Sequence, residues 1–379
     1  MKKTPLWRGR GSKLLAREAG VVKEITGQRP GATEVSVWVG GRLEKAVNYD
    51  PLTGPVRPGD RVVLNTTAVR LGLGTGGYHF VIHVLGRDER ALQGSGYLMK
   101  ARYTPCQVRC QGVEEDPRYV DRIHGFRSLD GMPVVVGELH SQVAAVAAGF
   151  KAWAPGQCRL VYVMTDGAAL PAAFSRTIPL LKNTGLVEAV VTAGHAFGGD
   201  LEAVNIYTAL IAAKEVLDAA CVVVAMGPGI VGTGTRYGFT GIEQGEIINT
   251  AAVLGGQPVA VVRMSFADPR PRHRGISHHT LTSLTEVALK PARVVLPRLT
   301  GSKGELVKRQ VSVLHDKGIH LVVEGDGQAG LDLLDGLGLR VTTMGRTVQE
   351  DLEFFLAASA AGEAAAEMVR SRGRGQFLR

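Results

Sequence analysis

Cysteine is scarce: Cys106, Cys110, Cys158 and Cys221 are all that 379 residues contain. Four cysteines at irregular spacing do not make a disulfide framework, and a reducing cytoplasm is the expected setting. Cys106 and Cys110 have no matching second pair, which argues against a zinc ribbon, and Cys221 opens an apolar run that belongs in a core. No apolar run approaches the roughly 20 residues that span a bilayer, so no membrane partner is expected. The segment from Met1 to Gly20 is basic without an apolar stretch, so no secretory signal is expected. Internal repeats and low-complexity tracts are missing. No lysine completes a P-loop, and Ser141, Ser175 and Ser265 lack the setting of a nucleophile elbow.

What is present is a globular composition, 45% hydrophobic and 21% charged, long enough for two domains or one large α/β domain with an extension. The net charge of +9 suggests nucleic acid until it is located. Lys2, Lys3, Arg8, Arg10 and Lys13 at one end, and Arg370, Arg372, Arg374 and Arg379 at the other, account for all of it. The body of the chain is balanced, so the basicity belongs to solvated ends. Weak nucleic-acid contact by those ends is the alternative.

The texture changes once along the chain. From about Gly20 to Leu85 it reads as β, with Val35-Ser36-Val37-Trp38-Val39 alternating and turn signals at short intervals. From Met132 onward, short apolar runs alternate with amphipathic stretches. The runs are Pro133–Val136, Leu160–Met164, Ala189–Thr192, Cys221–Met226, Pro258–Val262, Arg293–Leu296, His320–Val323 and Arg340–Thr343. Alternating β and α predicts an α/β fold, a mostly parallel doubly wound sheet, here with a small N-terminal β-barrel-like domain. The expected organisation is a basic tail at 1–19, a β domain at 20–113, a linker at 114–131, an α/β domain at 132–369 and a basic tail at 370–379.

Ligands of open α/β sheets bind beyond the carboxyl ends of the strands. Four runs end in polar segments: Thr165-Asp166-Gly167, Gly194-His195-Ala196, the glycine-rich Gly227 to Arg236, and the stretch from Arg263 to His279. Gly227, Gly229 and Gly232 have dinucleotide-fingerprint spacing. Glycines continue past it, however, and no acid stands at the end of the next strand, so a Rossmann site does not follow. What remains is a loop whose free backbone N–H groups, with Thr233 and Thr235, suit a phosphate or carboxylate.

The stretch from Arg263 to His279 packs four arginines, three histidines and Asp268 around two prolines. His273, His278 and His279 admit three readings: metal ligands completed by Asp268, Asp166 or His195; acid–base groups beside an anionic substrate; or packing around a helix capped by Ser277. Adjacent residues on a helix point about 100° apart, so His278 and His279 are not expected to share one ion. No metal and no stoichiometric zinc are therefore expected.

Several blocks carry a family resemblance: Asn65 to Val69, Leu71 to His79, Met132 to Val136, Val163 to Gly167, Ala193 to Glu202, Gly227 to Gly241 and Ala267 to Thr280. Together they resemble an uncharacterised bacterial family labelled only as a domain of unknown function, over nearly the whole chain. The resemblance implies a bacterial cytoplasmic protein that keeps both regions together. It transfers no activity, cofactor or catalytic residue.

The leading expectation is an enzyme acting on a small anionic metabolite, phosphorylated compounds included. Gly227, Gly229, Gly232, Thr233, Thr235, Arg270, Arg272, Arg274 and His195 would bind substrate. His278 or His279 would move protons, oriented by Asp166 or Asp268. The alternative is a non-catalytic ligand sensor or scaffold using its basic tails on a partner. A homodimer is the default oligomeric expectation.

Overall fold

The computed structural model describes residues 14–74, 76–87, 95–154 and 156–376. The basic stretch at 1–13 lies outside them, as does Arg379. The chain divides into two compact units, Met1–Gln93 and Gly94–Arg379.

In the first unit, strands Arg17–Arg29 (β1), Ala32–Val39 (β2), Arg42–Asn48 (β3), Arg61–Asn65 (β4) and Tyr78–Val84 (β5) close into a barrel of order β1-β2-β3-β5-β4. Alternation decides which residues fill it: Val35, Val37 and Val39 are buried while Trp38 faces water. Two register shifts in β1, at Val22/Glu24 and Ile25/Gly27, bend it around the corner that closure requires. Short helices Asp50–Thr53 (α1) and Thr67–Arg70 (α2) join the strands. Buried His79 pairs with Glu44 at 2.7 Å, a structural role.

The second unit opens with a hairpin, Leu98–Lys100 (β6) and Val108–Cys110 (β7), and a short helix, Val120–His124 (α3). Eight parallel strands follow: Pro133–Val136 (β8), Leu160–Thr165 (β9), Ala189–Thr192 (β10), Leu201–Glu202 (β11), Cys221–Met226 (β12), Gln257–Val261 (β13), Arg293–Pro297 (β16) and Leu321–Gly325 (β17). Their order is β11-β10-β9-β12-β8-β13-β16-β17. Between β13 and β16 lies a two-stranded ribbon, Met264–Ser265 (β14) with Gly275–Ile276 (β15). The central strands are apolar without alternation because helices cover both faces. Val134, Val136, Val222 and Val224 meet Ile206–Glu215 (α6), Glu243–Val253 (α7) and Gly301–Lys317 (α9). Val135, Tyr162 and Val223 meet Val143–Trp153 (α4), Thr177–Asn183 (α5), Gln328–Gly336 (α10) and Leu352–Gln376 (α11). Ser277 caps the short helix His278–Thr282 (α8), its side chain accepting the His279 amide.

The expected strand at Arg340–Thr343 does not form; only an isolated bridge joins Thr343 to Arg346. Leu339 and Val341 pack against the core on the α4/α11 face, so this segment covers helices instead of extending the sheet. The segment at 114–131 carries α3, whose Ile123 joins the core on the α6 face. Helix α11 runs through Arg370, which donates to the Trp153 carbonyl and lies over its ring. Lys100 is fully buried; its ammonium donates to the carbonyls of Thr192 and Ala196 and pairs with Glu202 at 2.7 Å, fastening β6 to the end of β10. Among the described residues no helix is long and apolar enough to cross a membrane.

Helices α4, α10 and α11 touch backbone to backbone. A Cβ at Gly149 would lie 2.0 Å from the Ser359 carbonyl oxygen, one at Gly362 2.0 Å from that of Val146, and one at Gly330 2.2 Å from Ser359 Oγ. Gly336, on α10, has nothing within 4 Å of the same position. Gly149→Ala or Gly362→Ala is expected to destabilise by more than the usual ~1–3 kcal/mol of overpacking, because backbone must move. Gly336→Ala is expected to be neutral or to stabilise by up to ~1 kcal/mol. Urea denaturation of the three variants checks this; equal midpoints would remove the claim of contact.

Candidate functional site

The chain leaves β8 at Val136 and turns immediately. The amides of Glu138 and Leu139 both donate to buried Gln142 Oε1, at 2.9 and 3.0 Å. This turn drives Glu138 into the interior, where it is 0% exposed. Thr280 Oγ1 donates to Glu138 Oε1, while Glu138 Oε2 is buried with no hydrogen-bond partner. Burial pushes the Glu138 carboxyl up to about 7, against the pull of Arg263 and Thr280.

The Arg/His stretch after β13 is an excursion with zipped ends. Ribbon β14–β15 pairs Met264 with Ile276, the Ser277 amide donates to the Arg263 carbonyl at 2.8 Å, and the Arg263 amide donates to Thr280 Oγ1. Pro269 and Pro271 keep its tip irregular, apart from one 3₁₀ turn at Pro271–His273. The closure folds His273 back onto α8. Ring centroids lie 4.4 Å apart for His278 and His279, 4.9 Å for His273 and His279, and 5.2 Å for His273 and His278. One nitrogen from each ring lies within 4.8 Å of the others. The expected divergence of His278 and His279 is therefore not observed. Both occupy the first turn of α8, where no preceding turn restricts their rotamers.

His273 Nδ1 contacts Ser277 Oγ at 2.8 Å, and Arg272 Nε donates to His273 Nε2 at 3.4 Å. Buried Arg263 donates through Nη1 to His279 Nδ1 at 3.2 Å, and Glu138 Oε2 lies 3.9 Å from the same nitrogen. Burial, reinforced by the neighbouring arginines, holds His273 and His279 down to about 3 and lowers His278 as well. The three rings are neutral near pH 7.

The glycine-rich loop after β12 lies against this cluster. Gly232 bridges to Phe239, and Phe239 stacks flat on His279 at 3.9 Å. A Cβ at Gly232 would sit 3.3 Å from His279 Cε1, and one at Gly234 would sit 3.4 Å from Arg272 Nη1. Arg236 and Tyr237 hold the outer edge of the loop to Glu286.

The candidates thus separate into groups. Gly232, Thr233, Thr235 and Arg272 share the loop and the histidine cluster with His278 and His279, although the two threonine hydroxyls bond to each other at 2.9 Å. Gly227 closes on Ala169 and Met164, while Gly229, at φ 112°, has open space around it. Asp268 makes a bidentate pair with Arg270, at 2.9 and 2.7 Å. Its carboxyl is held well below the usual range, chiefly by that hydrogen bonding, so Asp268 orients Arg270 and accepts no hydrogen bond from His278 or His279. Arg274 is exposed, its carbonyl bound by Gln310.

Asp166 and His195 form a separate group: Asp166 Oδ2 accepts the His195 amide at 2.8 Å. Asp166 lines a cavity of about 510 Å³ with Thr165, Gly194, Tyr207, Glu243 and Glu246. There Thr165 Oγ1 donates to Glu243 at 2.6 Å, and burial pushes Glu243 up to about 7.

Sequence reasoning missed Glu138, Phe239 and Glu243. Glu138 stands two residues beyond the run Pro133–Val136, and the strand-end rule extended to that run finds it.

These features define the class, a doubly wound parallel α/β protein with a small closed barrel and a polar cluster at its strand ends. The chain belongs to the family described as "Protein of unknown function (DUF3866)", whose model matches residues 45–362. No curated protein matches it.

In the unfolded chain Glu138 ionises near its ordinary 4.5; in the folded chain it holds its proton until about 7. The contribution of Glu138 is therefore full below pH 4.5, falls as pH rises to about 7, and is level above it. The loss is about 3 kcal/mol. Glu138→Gln keeps the Thr280 bond without this term. The difference in unfolding free energy between variant and parent should grow by about 3 kcal/mol from pH 4.5 to 7.5 in urea titrations. Parallel profiles would refute the buried, proton-holding carboxyl.

Proposed function

We propose that the protein is an enzyme acting on a small anionic metabolite, of phosphate or carboxylate type, at the carboxyl ends of β8, β12 and β13. The observation that carries this reading is the approach of the glycine-rich loop to the arginine–histidine excursion, Gly234 against Arg272 and Gly232 against His279. Exposed Arg272 supplies a forked cation, and loop amides such as those of Gly232 and Gly234 supply further donors, while those of Val231, Thr233, Thr235 and Gly238 are bonded within the loop.

His278 is the least buried of the three imidazoles and is unprotonated near pH 7, the state a general base needs. Glu138 takes the place first given to Asp166 and Asp268. It faces His279 from the interior and, ionised above about pH 7, offsets charge that develops on that imidazole. Asp268 keeps Arg270 in place at the rim.

The test is calorimetric titration of the full chain with inorganic phosphate and pyrophosphate. Binding is expected, with Arg272→Ala weakening it about 10- to 100-fold, as loss of a charge-assisted hydrogen bond does. Far-UV circular dichroism should be unchanged, since Arg272 is exposed. Equal binding by the variant, or none by the parent protein, would discard the reading.

A further inference from the structure

We infer that His273, His278 and His279 form a binding site for one divalent transition-metal ion of the zinc type, with a fourth position open. The inference rests on the imidazole geometry; it is independent of anion binding by Arg272 and the glycine-rich loop, and it replaces the general-base role of His278 with that of a metal ligand. Three imidazole nitrogens within 4.8 Å of one another match the ligand set of catalytic zinc sites, three histidines plus an exchangeable ligand. Tetrahedral zinc separates its ligand nitrogens by ~3.3 Å, given Zn–N bonds near 2.0–2.1 Å. Each nitrogen has to move by about 1 Å toward the shared ion to reach that spacing.

Each ring has a feature that suits a ligand. Ser277 Oγ already accepts the His279 amide; accepting His273 Nδ1–H as well leaves the lone pair on His273 Nε2. The same nitrogen now faces the Arg272 N–H at 3.4 Å, a long contact from an exposed side chain free to swing away. His278 Nε2 is buried and has no partner at all. His279 is clamped flat by Phe239, and Gly232 presents no side chain to its Cε1–Nε2 edge.

Behind His279 stands the outer support that metal-bound histidines commonly have, a carboxylate for the second ring nitrogen. Glu138 Oε2 is buried, unpartnered and 3.9 Å from His279 Nδ1. Metal at Nε2 moves the ring proton to Nδ1, where Glu138 Oε2 accepts it and Arg263 Nη1 gives up its contact. This satisfies the one carboxylate oxygen that the cluster leaves orphaned. The neighbouring arginines disfavour a bare dication, so the open position should take an anion, and phosphate should tighten metal binding.

The experiment uses the full chain without an affinity tag, stripped by chelator and titrated with Co²⁺ under visible absorption, with zinc content measured after reloading. Expected are one equivalent, the spectrum of tetrahedral cobalt, and tighter binding with phosphate. His278→Ala, at a partly exposed position, should weaken binding at least 100-fold. Glu138→Gln should weaken it ~10- to 100-fold at unchanged stoichiometry. His124→Ala should change nothing. Circular dichroism guards against unfolding, and Glu138→Gln carries the test if His278→Ala fails to fold. No cobalt spectrum, full affinity in a folded His278→Ala variant, or a thiolate–cobalt band pointing to Cys106 and Cys110 would overturn the site. Phosphate binding without cobalt binding would sink this inference alone; cobalt binding without phosphate binding would sink the proposed function alone.

Discussion

Backbone contact between α4, α10 and α11 is the constraint on which the larger unit depends. Where Gly149 meets the backbone of Ser359, Gly362 that of Val146 and Gly330 that of Gly149, no side chain separates the helices. Helix α4 follows directly from the turn that carries Glu138, and α11 lies across it, close to the β8, β13 and β16 strands beneath. Alanines fill much of the layer these helices form, with little loss of rotamer freedom. The turn containing Glu138 is thereby fixed from behind. A buried carboxyl with one oxygen unsatisfied persists only where its surroundings cannot relax toward it.

The second theme is charge held out of water. Glu138, Arg263 and Asp268 are each nearly inaccessible. Asp268 is fully matched by Arg270 and reads as a fixed counter-charge. Glu138 is only half matched. Burial works against ionisation of both Glu138 and Arg263, although each favours the charged form of the other. Such a pair is weak evidence for stability. Its placement beside three imidazoles and a glycine-rich loop is what ties it to chemistry.

Much of the fold was legible because strands buried on both faces leave uninterrupted apolar runs, and seven of the eight runs from Pro133 onward are strands of the sheet. Arg340–Thr343 has the same composition, but its apolar side chains cover helices, a tertiary outcome that local pattern does not encode. Strand β11, two residues long, has no pattern to read. At the site, the glycine loop and the Arg/His stretch were visible as composition. Their contact depended on strand order: β12 and β13 flank β8, and this places both segments beside Glu138. The convergence of the histidines was hidden because a helical wheel assumes regular turns on both sides. Here His273 arrives from a 3₁₀ turn and α8 runs on into a π-helical turn at Ser283–Val287. Asp166 and His195 were grouped with the others because each follows a strand, yet β9 and β10 lie on the far side of β12 from β8.

Helix α11 is the last element among the described residues, and it covers a helix made about 200 residues earlier. A ribosome adding about 5–20 residues per second takes roughly 10 to 45 s to pass from Gly149 to Gln376. Through that interval the small-residue face of α4 and the apolar strand surface beneath it lack their final cover. Growth from the amino end can complete the barrel early, because its strands are contiguous. The parallel sheet has to wait for its last helix. Survival in the cell therefore depends on how the growing polypeptide is shielded until α11 emerges, in addition to the stability of the finished fold.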